Sequence, residues 1–356
     1  MKVCDFDFDL PEERIALRPA SPKDSAKLLQ VSSAGELFDY CVKDLPGLLL
    51  RGDVLVINET RVLHAALNGT RKARDYGGGG DVNLNINLHK LVSKNEWRAF
   101  IRPAKRLKVD DIVYFSDDFH AVVYDKLQNG DIGLRFNMSG IALTKAIDKF
   151  GKPPIPPYIS RKRPVDDSDV NDYQTIYASE NSGSVAAPTA GLHFTDTLFK
   201  ELNLRGIQIE RLTLHVSAGT FLPVKTEDTK DHHMHTEWYE IPPDTAKRIN
   251  SAKSEGRRIV AVGTTTLRAL ESSARKGIVT KLADKTNIFI TPGFKFEIID
   301  GLMTNFHLPR STLFMLVSAL SGLKNMKFAY LYAIKNKYRF YSYGDTSLLW
   351  KSETLK

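Results

Sequence analysis

Three histidines stand in short runs of small and hydroxyl-bearing residues: His193 in Ser182 to Phe194, His215 just before Ser217-Ala-Gly-Thr, and His307 in Thr304-Asn-Phe-His-Leu-Pro-Arg-Ser-Thr. An imidazole titrates near neutrality, so such placements suit a general base. In the first run Gly183 and Gly191 open backbone conformations closed to other residues, and Pro188 fixes a turn. Ser184 and Thr189 add hydroxyls where a ligand can approach the chain closely. His193 is the first candidate base, with His215 and His307 in reserve. The same run also reads as a tight structural turn that its histidine merely caps.

A second group lies where the strand-like Arg258-Ile-Val-Ala-Val-Gly gives way to a helix pattern opening on Thr264 and Thr265, with Arg268 one turn on. Free N–H groups and the positive end of a helix dipole suit a carboxylate or phosphate, and simple capping by one Thr is the alternative. Asn58, Thr60 and Arg61 follow the apolar run that starts at Asp53, at what reads as the end of a buried strand, where ligands gather in open α/β sheets. A hydrogen-bonded turn accounts for them equally well. Asn305 and Arg310 cluster with His307 at another strand–helix junction. His233, His235 and Glu237 would share one face of an extended chain, which suits a metal, but no Cys or Asp-rich cluster accompanies them.

The elements that must hold these groups fall into two textures. From 61 to 150 short β segments follow one another: Val82-Asn-Leu-Asn-Ile-Asn-Leu-His alternates apolar and polar, and Gln128-Asn-Gly-Asp is a hairpin signal. A small antiparallel β-barrel inserted in a larger domain is expected. Residues 1–60 and 151–356 alternate strand and helix patterns and should form the α/β main domain, with Thr195 capping a helix from Asp196. Proline-rich Lys152 to Tyr158 would be the return linker, and Asn287 to Phe296 reads as a strand and turn. The tetrad Gly77 to Gly80 lacks the Lys-Ser/Thr of a phosphate loop and reads as a flexible hairpin.

The chain has 356 residues, 42% of them hydrophobic, which is enough for two cores. No apolar run approaches the ~20 residues that cross a bilayer, and the acidic N-terminus is no signal peptide, so a soluble, cytoplasmic protein without membrane partners is expected. Cys4 and Cys41 form no framework. A net charge of +8 fits a polyanionic partner such as RNA, whose backbone Arg102, Lys105 and Arg61 would follow, with a merely solvated basic surface as the alternative.

Blocks along the whole chain carry a resemblance. They are Asp5-Phe-Asp-Phe-Asp-Leu-Pro, Gly52-Asp-Val-Leu-Val-Ile-Asn-Glu-Thr-Arg-Val, Tyr173-Gln-Thr-Ile-Tyr, Gly183 to Phe194, Leu214-His-Val-Ser-Ala-Gly-Thr-Phe, Val262-Gly-Thr-Thr-Thr-Leu-Arg, Thr304 to Leu313, and Tyr343-Gly-Asp. In this order they resemble the S-adenosylmethionine:tRNA ribosyltransferase-isomerases of queuosine biosynthesis. The resemblance adds Gly219, Thr220, Tyr343 and Asp345 to the substrate-binding candidates. It departs near Asp284 to Asn287 and around Asp81 and Asn83.

What it implies is transfer of the ribosyl part of S-adenosylmethionine to 7-aminomethyl-7-deazaguanine at the tRNA wobble position. The ribosyl group isomerises to give epoxyqueuosine, and adenine and methionine are released. The sulfonium compound is consumed as substrate, no cofactor or metal is implied, and a monomer is expected. A non-catalytic basic RNA-binding module and a metal hydrolase are the competing classes.

Overall fold

The computed structural model describes residues 1–75, 79–127, 130–179, 183–216, 224 and 226–353. The chain forms two compact units, one of Met1–Thr60, Gln174–Ser182 and Ala187–Lys356, the other of Arg61–Tyr173 and Gly183–Ala186.

In the larger unit the first strands are β1 (Lys27–Val31), β2 (Leu37–Cys41) and β3 (Val54–Asn58), with the short helix α1 (Leu45–Leu48) between the last two. β3 is buried at every position, as a strand covered on both faces must be, which is why its apolar run does not alternate. The smaller unit holds β4 (Ala66–Arg71), β5 (Val82–Ser93), β6 (Glu96–Arg102), β7 (Ile112–Tyr114), β8 (His120–Lys126), β9 (Asp131–Phe136) and β10 (Gly151–Lys152). It also holds helices α2 (Gly140–Phe150), α3 (Pro157–Ser160) and α4 (Ser168–Asp172). β4, β5, β6, β9, β8 and β7 pair in that order, and β7 returns to β4, closing a six-stranded antiparallel barrel. Leu84, Ile86 and Leu88 of alternating β5 point into its core with Trp97, Leu134 and Phe136.

The barrel unit continues past the expected boundary at 150. Gly151 and Lys152 pair with Leu67 and Ala66, so the chain leaves the barrel only after adding an edge strand to β4. A Cβ at Gly151 would meet the His64 carbonyl at 1.8 Å, so this close pairing needs glycine. Of the hairpin signal, Gln128 and Asn129 lie outside the described residues, as do Gly77 and Gly78 of the glycine tetrad.

The larger unit resumes with α5 (Asp196–Leu204), β11 (Gln208–Leu214), β12 (Glu237–Glu240), α6 (Pro243–Ser254), β13 (Ile259–Val262), α7 (Thr264–Ser273) and a hairpin of β14 (Ala274–Arg275) and β15 (Ile278–Val279). β16 (Ala283–Thr286), β17 (Gly301–Asn305), α8 (Thr312–Ser321), α9 (Leu323–Lys335) and β18 (Thr346–Trp350) complete it. Thr195 caps α5 by accepting from the Leu198 amide at 3.2 Å, as its sequence position suggests. The nine-stranded sheet has the order β16-β12-β11-β3-β13-β17-β18-β1-β2. Its centre, β11-β3-β13-β17, is parallel, and β12, β16 and β2 are antiparallel additions. The strand expected in 287–296 does not form. Ala283–Thr286 already pairs with β12 at that edge, and the Ile288 amide turns away onto Thr286 Oγ1 at 3.2 Å.

Candidate active site

The parallel strands β11, β3, β13 and β17 end side by side, and their C-terminal ends carry His215, Asn58, Thr264 and Asn305. Crevices at the carboxyl ends of such strands are where open α/β sheets bind ligands. Asn58 is fully buried and ties three of these ends together. Its Oδ1 accepts from the amides of Leu214 (3.0 Å) and Thr60 (3.1 Å), and its Nδ2 donates to the Leu214 carbonyl (3.0 Å) and to Thr265 Oγ1 (3.4 Å). Beside it Thr60 Oγ1 meets His215 Nδ1 at 3.2 Å, and the His215 ring stacks on Trp238 at 5.1 Å. Burial lowers the His215 pKa.

Above these ends lies a small cavity of about 40 Å³. Its walls include Thr189, Thr264, Thr265, Asn305, His307 and Tyr341. Gly263, at φ +86°, turns the chain from β13 into α7 and leaves the first turn of that helix on the wall. Thr189 Oγ1 donates to Asn305 Oδ1 at 3.3 Å, and Asn305 Nδ2 donates to the Tyr341 carbonyl at 3.1 Å. His307 Nε2 lies 3.3 Å from Thr304 Oγ1, and its Nδ1 has no partner among the described residues. Burial alone pushes the His307 pKa down to about 3, so the ring is neutral at physiological pH.

His193, the first candidate from the sequence, is not on this wall. It closes a short 3₁₀ turn (Thr189–His193) and is buried behind it, with Nε2 3.4 Å from Asn305 Nδ2 and a hydrogen bond to the Lys23 backbone. Burial lowers its pKa to about 4. Arg268 does not line the cavity either: its guanidinium pairs through one nitrogen with the Glu237 carboxylate, both side chains almost wholly buried. Gly191 serves packing, since a Cβ there would fall 2.0 Å from the Tyr177 hydroxyl. Asp345 is held by Arg339 and the Lys27 amide, Tyr343 is buried away from the cavity wall, and Arg310 is exposed on a turn with φ +54°.

In the barrel unit Ser184 donates to the Ala186 carbonyl, Arg61 pairs with Asp148, and Arg102 and Lys105 are exposed. Gly219, Thr220 and Ser182 lie outside the described residues. Among the described residues no three of His, Cys, Asp and Glu come together as a metal cage, and His233 and His235 are exposed. Tyr341 and Thr304 were not singled out by sequence. Tyr341 adopts φ +75° and its carbonyl accepts from Asn305 Nδ2, and only the nearby Tyr343-Gly-Asp block hints at that segment.

The profile of the queuosine biosynthesis protein family matches residues 3–349. The chain belongs to this family. The queuosine biosynthesis proteins most similar to it include two bacterial S-adenosylmethionine:tRNA ribosyltransferase-isomerases. That of Maricaulis maris is 57% identical over 350 residues, covering 98% of this chain and 99% of its own length. That of Phenylobacterium zucineum is 54% identical over 362 residues, covering 99% and 100%. Among solved structures, the crystal structure of S-adenosylmethionine tRNA ribosyltransferase from Thermotoga maritima matches with a TM-score of 0.54 at 30% identity, over 97% of this chain and 99% of that one. The barrel and mixed sheet are therefore the architecture of a family member already solved.

Proposed function

We propose that this chain is an S-adenosylmethionine:tRNA ribosyltransferase-isomerase. It moves the ribosyl part of S-adenosylmethionine onto the aminomethyl group of a 7-deazaguanine at the tRNA wobble position and isomerises it, releasing adenine and methionine. The observation that carries this reading is likeness over nearly the full length to enzymes of that name, at up to 57% identity. A sulfonium acidifies the carbon next to it, so a neutral base suffices to start the reaction, and adenine is a leaving group that hydrogen bonding assists. His307 is the base in this proposal, being the histidine on the cavity wall. Thr264 and Thr265 hold substrate beside it. The sulfonium supplies the activation, and the proposed reaction uses no cofactor or metal. Release of adenine from S-adenosylmethionine that depends on tRNA carrying the aminomethyl base tests the reading.

Exposed Arg102 and Lys105 are the groups proposed to follow the tRNA backbone. Arg102→Ala and Lys105→Ala are each expected to weaken tRNA binding and to flatten its logarithmic salt dependence by about one unit, with saturated turnover little changed. Filter binding across a salt series checks this. An unchanged slope in both variants would place the tRNA elsewhere.

A further inference from the structure

Two asparagines, Asn58 behind the cavity wall and Asn305 on it, have side-chain amides that cannot be flipped. Asn58 Oδ1 faces two backbone N–H groups and its Nδ2 faces the Leu214 carbonyl, so the remaining Nδ2 proton points to Thr265 Oγ1. Thr265 is thereby an acceptor toward Asn58. Its own proton has no acceptor among the described residues and is left for the cavity. Asn305 works the other way round. Its Nδ2 lies 3.1 Å from the Tyr341 carbonyl and 3.4 Å from that of Ser342, which turns Oδ1 toward Thr189 Oγ1. Thr189 must spend its proton on Asn305 and shows the cavity lone pairs only. Thr265 and Thr189 both line this cavity, together with Gly263 and Ala190.

We infer that Asn58 and Asn305 fix opposite hydrogen-bond polarities on Thr265 and Thr189, and that this pair receives the amino-acid end of S-adenosylmethionine, carboxylate at Thr265 and ammonium at Thr189. The inference rests on the proposed substrate. The carboxylate belongs at Thr265 because donors accumulate there. The Thr264 hydroxyl, also without an acceptor among the described residues, stands beside it, and a carboxylate can accept from both while a purine ring nitrogen accepts only one. Asn58 and Asn305 are positioning residues in this account.

Equilibrium binding to the full chain, with three ligands, tests it: S-adenosylmethionine, its decarboxylated analogue and its analogue without the α-amino group. Thr265→Val is expected to weaken S-adenosylmethionine about 10- to 100-fold while changing affinity for the decarboxylated analogue about twofold or less. Thr189→Val should weaken both of those ligands and spare the analogue without the amino group. Asn58→Asp, which keeps the side chain's shape but makes Thr265 spend its proton inward, should reproduce the Thr265→Val pattern with the hydroxyl still present. If that variant does not fold, the two threonine variants decide alone. Equal weakening of all three ligands by Thr265→Val would overturn the inference, as would a folded Asn58→Asp variant with undiminished affinity for S-adenosylmethionine. Failure of the unaltered protein to bind any of the three would instead remove the substrate reading beneath it.

Discussion

Replacing His307 by alanine is expected to lower turnover by on the order of 10²–10⁴-fold at saturating substrates, with tRNA affinity nearly intact, the usual range for loss of an acid–base group. The ring lines the cavity, and burial keeps it in the unprotonated form a general base needs while lowering its basicity, so the transfer relies on substrate charge beside the ring to stabilise the imidazolium. Its titration therefore adds no acid limb to the rate profile around pH 6.5, where an exposed histidine would. His193→Ala removes a buried ring that is absent from the cavity wall, so its first effect is expected on thermal stability. Single-turnover kinetics on both variants separates the two roles. A His307→Ala protein within tenfold of normal turnover would take the base away from this residue.

The second large effect is on folding. Arg268→Ala should destabilise the protein by about 3–5 kcal/mol, because it removes the guanidinium that balances the Glu237 charge in an interior where both side chains are 3% exposed or less. The pair joins α7 to the start of β12, so the loss also loosens the helix whose first turn carries Thr264 and Thr265. Replacing both residues by apolar ones of similar size, as in Arg268→Met with Glu237→Leu, should recover most of that stability, since no buried charge remains. Denaturant titration of the single and double variants measures it. If the double variant is no more stable than Arg268→Ala, the unbalanced charge is not the cause.

These two residues also mark where sequence stops being informative. Arg268 stands one turn from Thr264 and Thr265, on the face they share, and that spacing suggests a common ligand. What overrides it is Glu237, 31 positions away, which the sheet brings opposite. The histidines show the same limit. His193 and His307 both sit beside small and hydroxyl residues, and only folding decides that one meets Asn305 and the Lys23 backbone while the other faces the cavity. By contrast, β3 and β5 were legible because local patterns decide them: a continuous apolar run for a strand covered on both sides, strict alternation for a barrel wall. Helix α2 had a readable stripe too, Leu143, Ala146 and Ile147, but the surrounding β segments drew it into the barrel. The barrel's end was not legible, since Gly151 and Lys152 belong to it through pairing with strand residues more than eighty positions earlier.

The central claim is that this chain consumes S-adenosylmethionine to modify a tRNA base. The most direct measurement is mass spectrometry of the wobble nucleoside after the purified protein has been incubated with S-adenosylmethionine and tRNA carrying 7-aminomethyl-7-deazaguanine. The account predicts conversion of that nucleoside to epoxyqueuosine, with adenine and methionine appearing in equal amounts. An unchanged nucleoside with the sulfonium compound intact, from protein that still binds the tRNA, would contradict it.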